Sequence, residues 1–331
     1  MGRGSGGGAA GAPPGGGGRP PPGHEIQVTA RGAGLDAIRA GGIRLSGGFG
    51  DAVGHPAAAP ALAGRFDLVL VCTKAQDAEA AIAANASVVD DTPVIVVQNG
   101  LDGVGTAQRL LPRSECFGAL SIIAANYTEP GVVRVTTRAA TYLGRGSGRA
   151  DAETKRWAEL LSSAVPVLAV DNFIGSQWTK LVVNMLNGLP AITGLSVQEV
   201  IADRELRRIL TASMREAVRV GVARGIRFGS LQGLGDRRLR LFSRLPLGIG
   251  QLLPRSMGVR MGHVPNLGST LQSLRRGQAT EIDFLNGAVV REAALAGMTA
   301  PVNAAIVELV HEVEDSGASL PREAVLDRIR V

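Results

Sequence analysis

The sequence predicts an α/β protein, a parallel sheet at the N-terminal side followed by an all-helical C-terminal domain. Three observations predict it. Short β-branched runs alternate with helical patterns up to about residue 170, the pattern of a parallel sheet covered on both faces. Beyond residue 170 the strand signals stop and helical periodicity takes over. Residues 1–22, where a first central strand belongs, are a Gly/Pro-rich aberrant N-terminus.

Taken in order, Glu25–Ala30, Phe66–Cys72, Val94–Val97 and Cys116–Ala124 read as strands, with Asp77–Ala86 as a connecting helix. Gly131–Val135 and Thr141–Gly144 read as the arms of a hairpin, and Val165–Val170 as a final strand. Val197–Ala223, Thr270–Ala296 and Val302–Glu314 carry helical periodicity, separated by a Gly/Pro/Arg-rich segment over 225–265. The expected division is a Rossmann-type nucleotide-binding domain over 23–170 and a helical substrate domain over 171–331, with a ligand in the cleft between them.

A Rossmann-type domain opens with an apolar strand, a G-x-G-x-x-G turn and a helix. Here residues 1–23 hold eleven glycines and five prolines, and no Val, Ile, Leu or Phe precedes Ile26. Gly2-Arg3-Gly4-Ser5-Gly6-Gly7 matches the turn literally but lacks a strand before it and a helix after it. The first strand is therefore read as degraded, through a wrong start or reading frame, and the phosphate-binding loop as missing. Strands flanking such a gap lose ladder partners, at about 1–3 kcal/mol for each buried unpaired backbone group.

Composition narrows the class. The chain has 331 residues, 45% hydrophobic and 19% charged, long enough for two domains of a globular protein. It has no run of eighteen uncharged apolar residues and no secretory apolar core at its start, so a cytoplasmic protein is expected. Cys72 and Cys116 read as buried small hydrophobes in strands, and two cysteines with four scattered histidines predict no metal site. The net charge of +6 and the arginines at 237, 238, 240, 244, 255 and 260 suit an anionic partner. With aromatic residues at 3%, a solvated insertion is expected there, with no nucleic acid and no membrane as partner.

The most informative arrangement lies after residue 170. In Trp178-Thr179-Lys180-Leu181-Val182-Val183-Asn184 an amine and an amide fall four residues apart, on one helix face. Asn187 extends that face, and Leu181, Val182, Val183, Met185 and Leu186 fill the other sides, so the helix is buried and its polar groups need partners. Asn266-Leu267-Gly268-Ser269 and Thr280-Glu281-Ile282-Asp283-Phe284-Leu285-Asn286-Gly287 follow. With Asp67-Leu68-Val69-Leu70-Val71-Cys72-Thr73-Lys74, Gln98-Asn99-Gly100 and Glu129-Pro130-Gly131 upstream, the set resembles the ketopantoate reductase family over roughly residues 23–315.

The resemblance implies NADPH-dependent reduction of 2-dehydropantoate to pantoate, in pantothenate biosynthesis. It implies Lys180 as the cationic donor to the substrate oxygen, with Glu281 holding the substrate hydroxyl as the second catalytic residue. Asn184, Asn266 and Ser269 would bind substrate; Arg31, Lys74 and Asn99 would bind the cofactor. Arg31 follows a strand where an acidic residue would select NAD, so an arginine there suits the 2′-phosphate of NADP. Asn187 departs from the family spacing, in which the second asparagine falls one residue later; Gly188 stands in that place. The partner expected is a small 2-oxo acid, with a homodimer left open. Two further readings stay open: a reductase of another 2-oxo acid, or a non-catalytic homologue that has lost cofactor binding.

Overall fold

The computed structural model describes residues 24–262 and 264–331, so the glycine-rich stretch 1–22 and the Gly2–Gly7 match lie outside the described residues. The strands are β1 (Gln27–Thr29), β2 (Ile43–Gly47), β3 (Ala52–Gly54), β4 (Ala57–Ala59), β5 (Val69–Val71), β6 (Val94–Val97), β7 (Cys116–Ser121), β8 (Ala124–Glu129), β9 (Val132–Thr137), β10 (Thr141–Gly144) and β11 (Val167–Ala169). Four helices lie among them: α1 (Gly32–Gly41), α2 (Ala75–Val89), α3 (Gly103–Leu110) and α4 (Ala152–Ser162). The helical part then runs α5 (Phe173–Asn184), α6 (Gly188–Thr193), α7 (Val197–Ala202), α8 (Arg204–Ala223), α9 (Asp236–Arg244), α10 (Leu247–Gly250) and α11 (Leu252–Arg260). It ends with α12 (Gly268–Arg275), α13 (Asn286–Leu295), α14 (Pro301–Ser316) and α15 (Arg322–Arg328).

These elements fall into two compact units. The first takes in 24–63, 122–141 and 159–167 of the described residues. In it β1 pairs in parallel with β4, from Gln27 opposite Ala57 to Thr29 opposite Ala59. A second sheet runs β3-β2-β9-β8, with β2 parallel to β9 and the other two pairs antiparallel. Among the described residues β4 is the one strand that pairs with β1.

The second unit takes in the rest, from residue 64. Its sheet runs β11-β10-β7-β6-β5, with β5, β6 and β7 mutually parallel. Val94, Ile95 and Phe117 are wholly buried, as a sheet covered on both faces requires. Here β5 pairs with β6 alone among the described residues. The helical core forms around α5 and α8: Leu181, Val182 and Met185 meet Leu206, Leu210, Met214 and Val218, whose spacing draws one stripe down α8. Among the described residues no helix is long and apolar enough to cross a membrane.

Several expected elements change. Val132–Thr137 and Thr141–Gly144 are not the two arms of one hairpin. Gly131 turns the chain at positive φ, so that β9 pairs back on β8, while β10 joins the other sheet between β7 and β11. The expected strand over 116–124 stops at Ser121, and β8, exposed along its whole length, has no apolar alternation to announce it. The helix expected over 197–223 breaks at Asp203, whose carboxylate caps the N–H groups of Glu205 and Leu206. That expected over 270–296 breaks after α12, where Gly277 takes positive φ.

The 225–265 segment is no solvated insertion. Leu239 and Phe242, three residues apart on α9, are buried in the helical core, and Arg240 is tied to Asp236 and the Ile226 carbonyl. Cys116 is buried as expected, but Cys72 lies just past β5 and is exposed.

Candidate functional site

Three parallel strands end at one edge of the second unit. The chain leaves β5 at Thr73-Lys74, leaves β6 at Gln98-Asn99-Gly100, and reaches Ser121 at the end of β7. Ligands of parallel α/β sheets bind outside such carboxyl ends. Two groups from the helical part reach this edge. The Lys180 amine donates to the Ser121 carbonyl oxygen at 2.9 Å. The Glu281 carboxylate accepts from the Ala75 N–H at 3.2 Å and from Asn99 Nδ2 at 3.3 Å. Its first contact sits at the start of α2, whose unpaired N–H groups and positive dipole end favour a carboxylate.

Burial is what gives Lys180 its chemistry. Its helix is apolar on most sides, as the sequence predicts, and the amine sits in a half-buried setting. Burial disfavours the charged form and pulls the amine down to about 8, with the negative charge of Glu281 acting in the opposite sense. An amine in that range can hold a proton at neutral pH and surrender it within the same site.

One turn on, Asn184 is buried and its Nδ2 has no hydrogen-bond partner. Most buried polar groups are satisfied, so this donor, one helical turn from Lys180, is an exception. Gln98 Nε2 donates to the Thr73 carbonyl at 2.8 Å, and its buried, unpartnered Oε1 faces Gly103 at the start of α3. Gln98 is a residue that the sequence reading passed over, because Gln-Asn-Gly after a strand reads as ordinary turn chemistry. Gly100 is required here: its φ is +84°, and a Cβ would lie 2.7 Å from the Phe284 carbonyl oxygen.

Lys74 stands at the head of α2, but its amine points to the helical part. It donates to Ser273 Oγ at 3.1 Å, the Ala279 carbonyl at 3.0 Å and Gln278 Oε1 at 3.4 Å. Ser273 Oγ in turn donates to the Ser269 carbonyl. Lys74 is thus brought to the segment that carries Glu281. Ser269 and Asn266 are both exposed. Asn266 Oδ1 accepts from the Gly268 N–H at 2.9 Å, a local turn at the start of α12. Asn187 Oδ1 lies 2.7 Å from where a Gly268 Cβ would be, so the residue set aside on spacing faces the same helix start. Arg31 belongs to the other unit; it precedes α1, is exposed, and forms no ion pair among the described residues.

Comparison with known proteins places the chain in a family. The family model described as "Ketopantoate reductase PanE/ApbA" matches residues 19–148, and "Ketopantoate reductase PanE/ApbA C terminal" matches 172–314. The 2-dehydropantoate 2-reductase of Pyrococcus horikoshii is 27% identical over 89% of this chain and 91% of its own length. A crystal structure of a PanE/ApbA family ketopantoate reductase from Ralstonia eutropha JMP134 superposes with a TM-score of 0.75 at 28% identity, covering 89% of this chain and 92% of that one. D-mandelate dehydrogenase, solved with NADH and anilino(oxo)acetate, shares the fold at a TM-score of 0.76 and 21% identity, over 89% and 92% of the two chains. Two matched models covering both the sheet and the helices, together with relatives aligned almost end to end, show that the chain belongs to the ketopantoate reductase family.

Proposed function

We propose that the chain reduces 2-dehydropantoate to pantoate with NADPH. The observation that carries the proposal is the Lys180 amine, lowered to about 8 by burial and set one helical turn from the orphan Asn184 donor. NADPH, when bound, supplies the hydride. Asn99, whose Nδ2 donates to Glu281 Oε2, follows β6 at the carboxyl edge of the sheet, where the nicotinamide end would lie. Lys180 donates to the ketone oxygen as charge develops there and delivers the proton that completes the hydroxyl. Glu281 holds the substrate hydroxyl and keeps the amine charged. Asn184 donates to the bound substrate, and Asn266 and Ser269, at the start of α12, receive its carboxylate. Lys74 fastens the Ser269 and Glu281 segments through Ser273 and Ala279.

The test is direct: NADPH oxidation by the purified full chain with 2-dehydropantoate, set against a panel of other 2-oxo acids. Turnover of another 2-oxo acid in preference to 2-dehydropantoate would favour the second reading, which Gly188 in place of the family's second asparagine supports. Failure to bind any nicotinamide nucleotide would favour a non-catalytic homologue.

Asn184→Ala is expected to raise KM about three- to tenfold, the worth of one neutral hydrogen bond of roughly 0.5–1.5 kcal/mol. Its Nδ2 bonds nothing in the protein, so the melting temperature should hold; a large drop in melting with KM unchanged would make Asn184 structural. Arg31→Ala is expected to weaken NADPH about tenfold relative to NADH, the lower end for a charge-assisted hydrogen bond. Equal losses for both nucleotides, measured by fluorescence titration, would remove Arg31 from 2′-phosphate recognition.

A further inference from the structure

The 147–149 turn, the start of α5 and the loop between α8 and α9 enclose an open cavity of about 1170 Å³, and none of its lining residues belongs to the Lys180–Glu281 site. Four arginines line it: Arg149, Arg227, Arg237 and Arg238. None of the four is in an ion pair among the described residues. The two carboxylates in the lining are already engaged. Asp171 accepts from the Ala150 N–H at 2.8 Å, and Asp236 accepts from the Phe228 N–H and pairs with Arg240 at 2.9 Å. With Asp236 paired to Arg240, four exposed arginines and one remaining carboxylate line the cavity.

The loop that carries Arg227 is tied to α5. Asn172 Nδ2 donates to the Arg227 carbonyl at 2.6 Å, and Thr179 Oγ1 donates to the Gly229 carbonyl at 2.7 Å. Glycines at 175 and 229 let the loop and α5 touch: a Cβ at 175 would lie 2.1 Å from the Arg227 carbonyl, and one at 229 would lie 2.2 Å from Ser176 Oγ. Arg238 is steadied by the Gly233 carbonyl at 2.6 Å. Unpaired guanidinium groups on a rigid frame match the fork geometry and charge of phosphate oxygens, and the cavity admits a small organic molecule.

We infer that this cavity is a second ligand site, for a phosphate-bearing small molecule carrying two or more negative charges. It is independent of the proposed reductase chemistry, since it shares no residue with it. The test is calorimetric titration of the full chain with inorganic pyrophosphate at low ionic strength, repeated with glucose 6-phosphate to separate free phosphate from an organic ester. Binding in either arm is expected to weaken on the order of tenfold or more in R227Q/R237Q, and by less in R227K/R237K, which keeps the charges but not the guanidinium fork. R255Q/R276Q removes the same charge from exposed arginines outside the cavity and should change affinity by no more than about twofold, as expected for distant screened charges. Absence of binding at millimolar concentrations of both probes overturns the inference. So does a loss in R255Q/R276Q equal to that in R227Q/R237Q, or binding that ignores Arg227 and Arg237.

Discussion

Replacing Lys180 by alanine is expected to cut turnover about 100- to 1,000-fold while leaving NADPH affinity nearly intact, the usual effect of losing one preorganised donor worth roughly 2.7–4 kcal/mol. The amine lies against the Ser121 carbonyl and feels the charge of Glu281, so on the proposed mechanism its loss would fall on the substrate oxygen. A variant that keeps more than about a third of parental turnover, far short of a donor's expected contribution, would remove Lys180 from the mechanism. Stability supplies a second readout. The folded amine titrates near 8, below its ordinary 10.5, so between those values the unfolded chain binds more protons and stability rises with pH. Below that window the folded protein bears the cost of a buried charge. Lys180→Met keeps the apolar stem and removes the charge, and should unfold no earlier than the parent at pH 7.

How much of this was legible in the sequence depended on whether the signal was local. The Lys180 helix was legible because Leu181, Val182, Val183 and Met185 leave a single polar face, and Leu181, Val182 and Met185 are wholly buried. β6 was legible as the uninterrupted apolar run Val94–Val97. The glycine and alanine stretches that form α1 and β4 gave no such contrast and were missed, and so was the wholly exposed β8. In the 225–265 segment the arginine content hid Leu239 and Phe242, whose three-residue spacing is a helical core signal. The sequence named candidate site residues, but not their partners. Glu281 meets Ala75 and Asn99 across roughly two hundred residues of sequence, and Lys74 meets Ser273 and Ala279 likewise. No periodicity reports contacts of that kind. Nor could spacing recover Asn187, which reaches the start of α12 because the chain tightens into a 3₁₀ turn over Met185–Asn187.

Glu281→Gln is expected to lower turnover about ten- to a hundredfold, the range for a charge-assisted hydrogen bond, and to move the alkaline fall of activity to lower pH. The direction follows from the two influences on Lys180. Burial lowers the amine, and the charge of Glu281 works against that lowering. Glutamine keeps the length of the side chain but not the charge, so the amine should drop further below about 8. Catalysis needs the protonated amine, which is present below its pKa and lost as pH rises through it; the parent should decline through about 8 and the variant earlier. Glutamine can still accept from the Ala75 N–H, but the amide that replaces Glu281 Oε2 would confront the Asn99 Nδ2 donor, so Asn99 must turn away. Turnover measured between pH 6 and 10, a range chosen to bracket an amine pKa near 8, separates the two effects. Equal alkaline midpoints in parent and variant would show that Glu281 does not set the charge on Lys180. Recovery of the parental midpoint in Glu281→Asp, which restores the negative charge on a shorter arm, would show that it does.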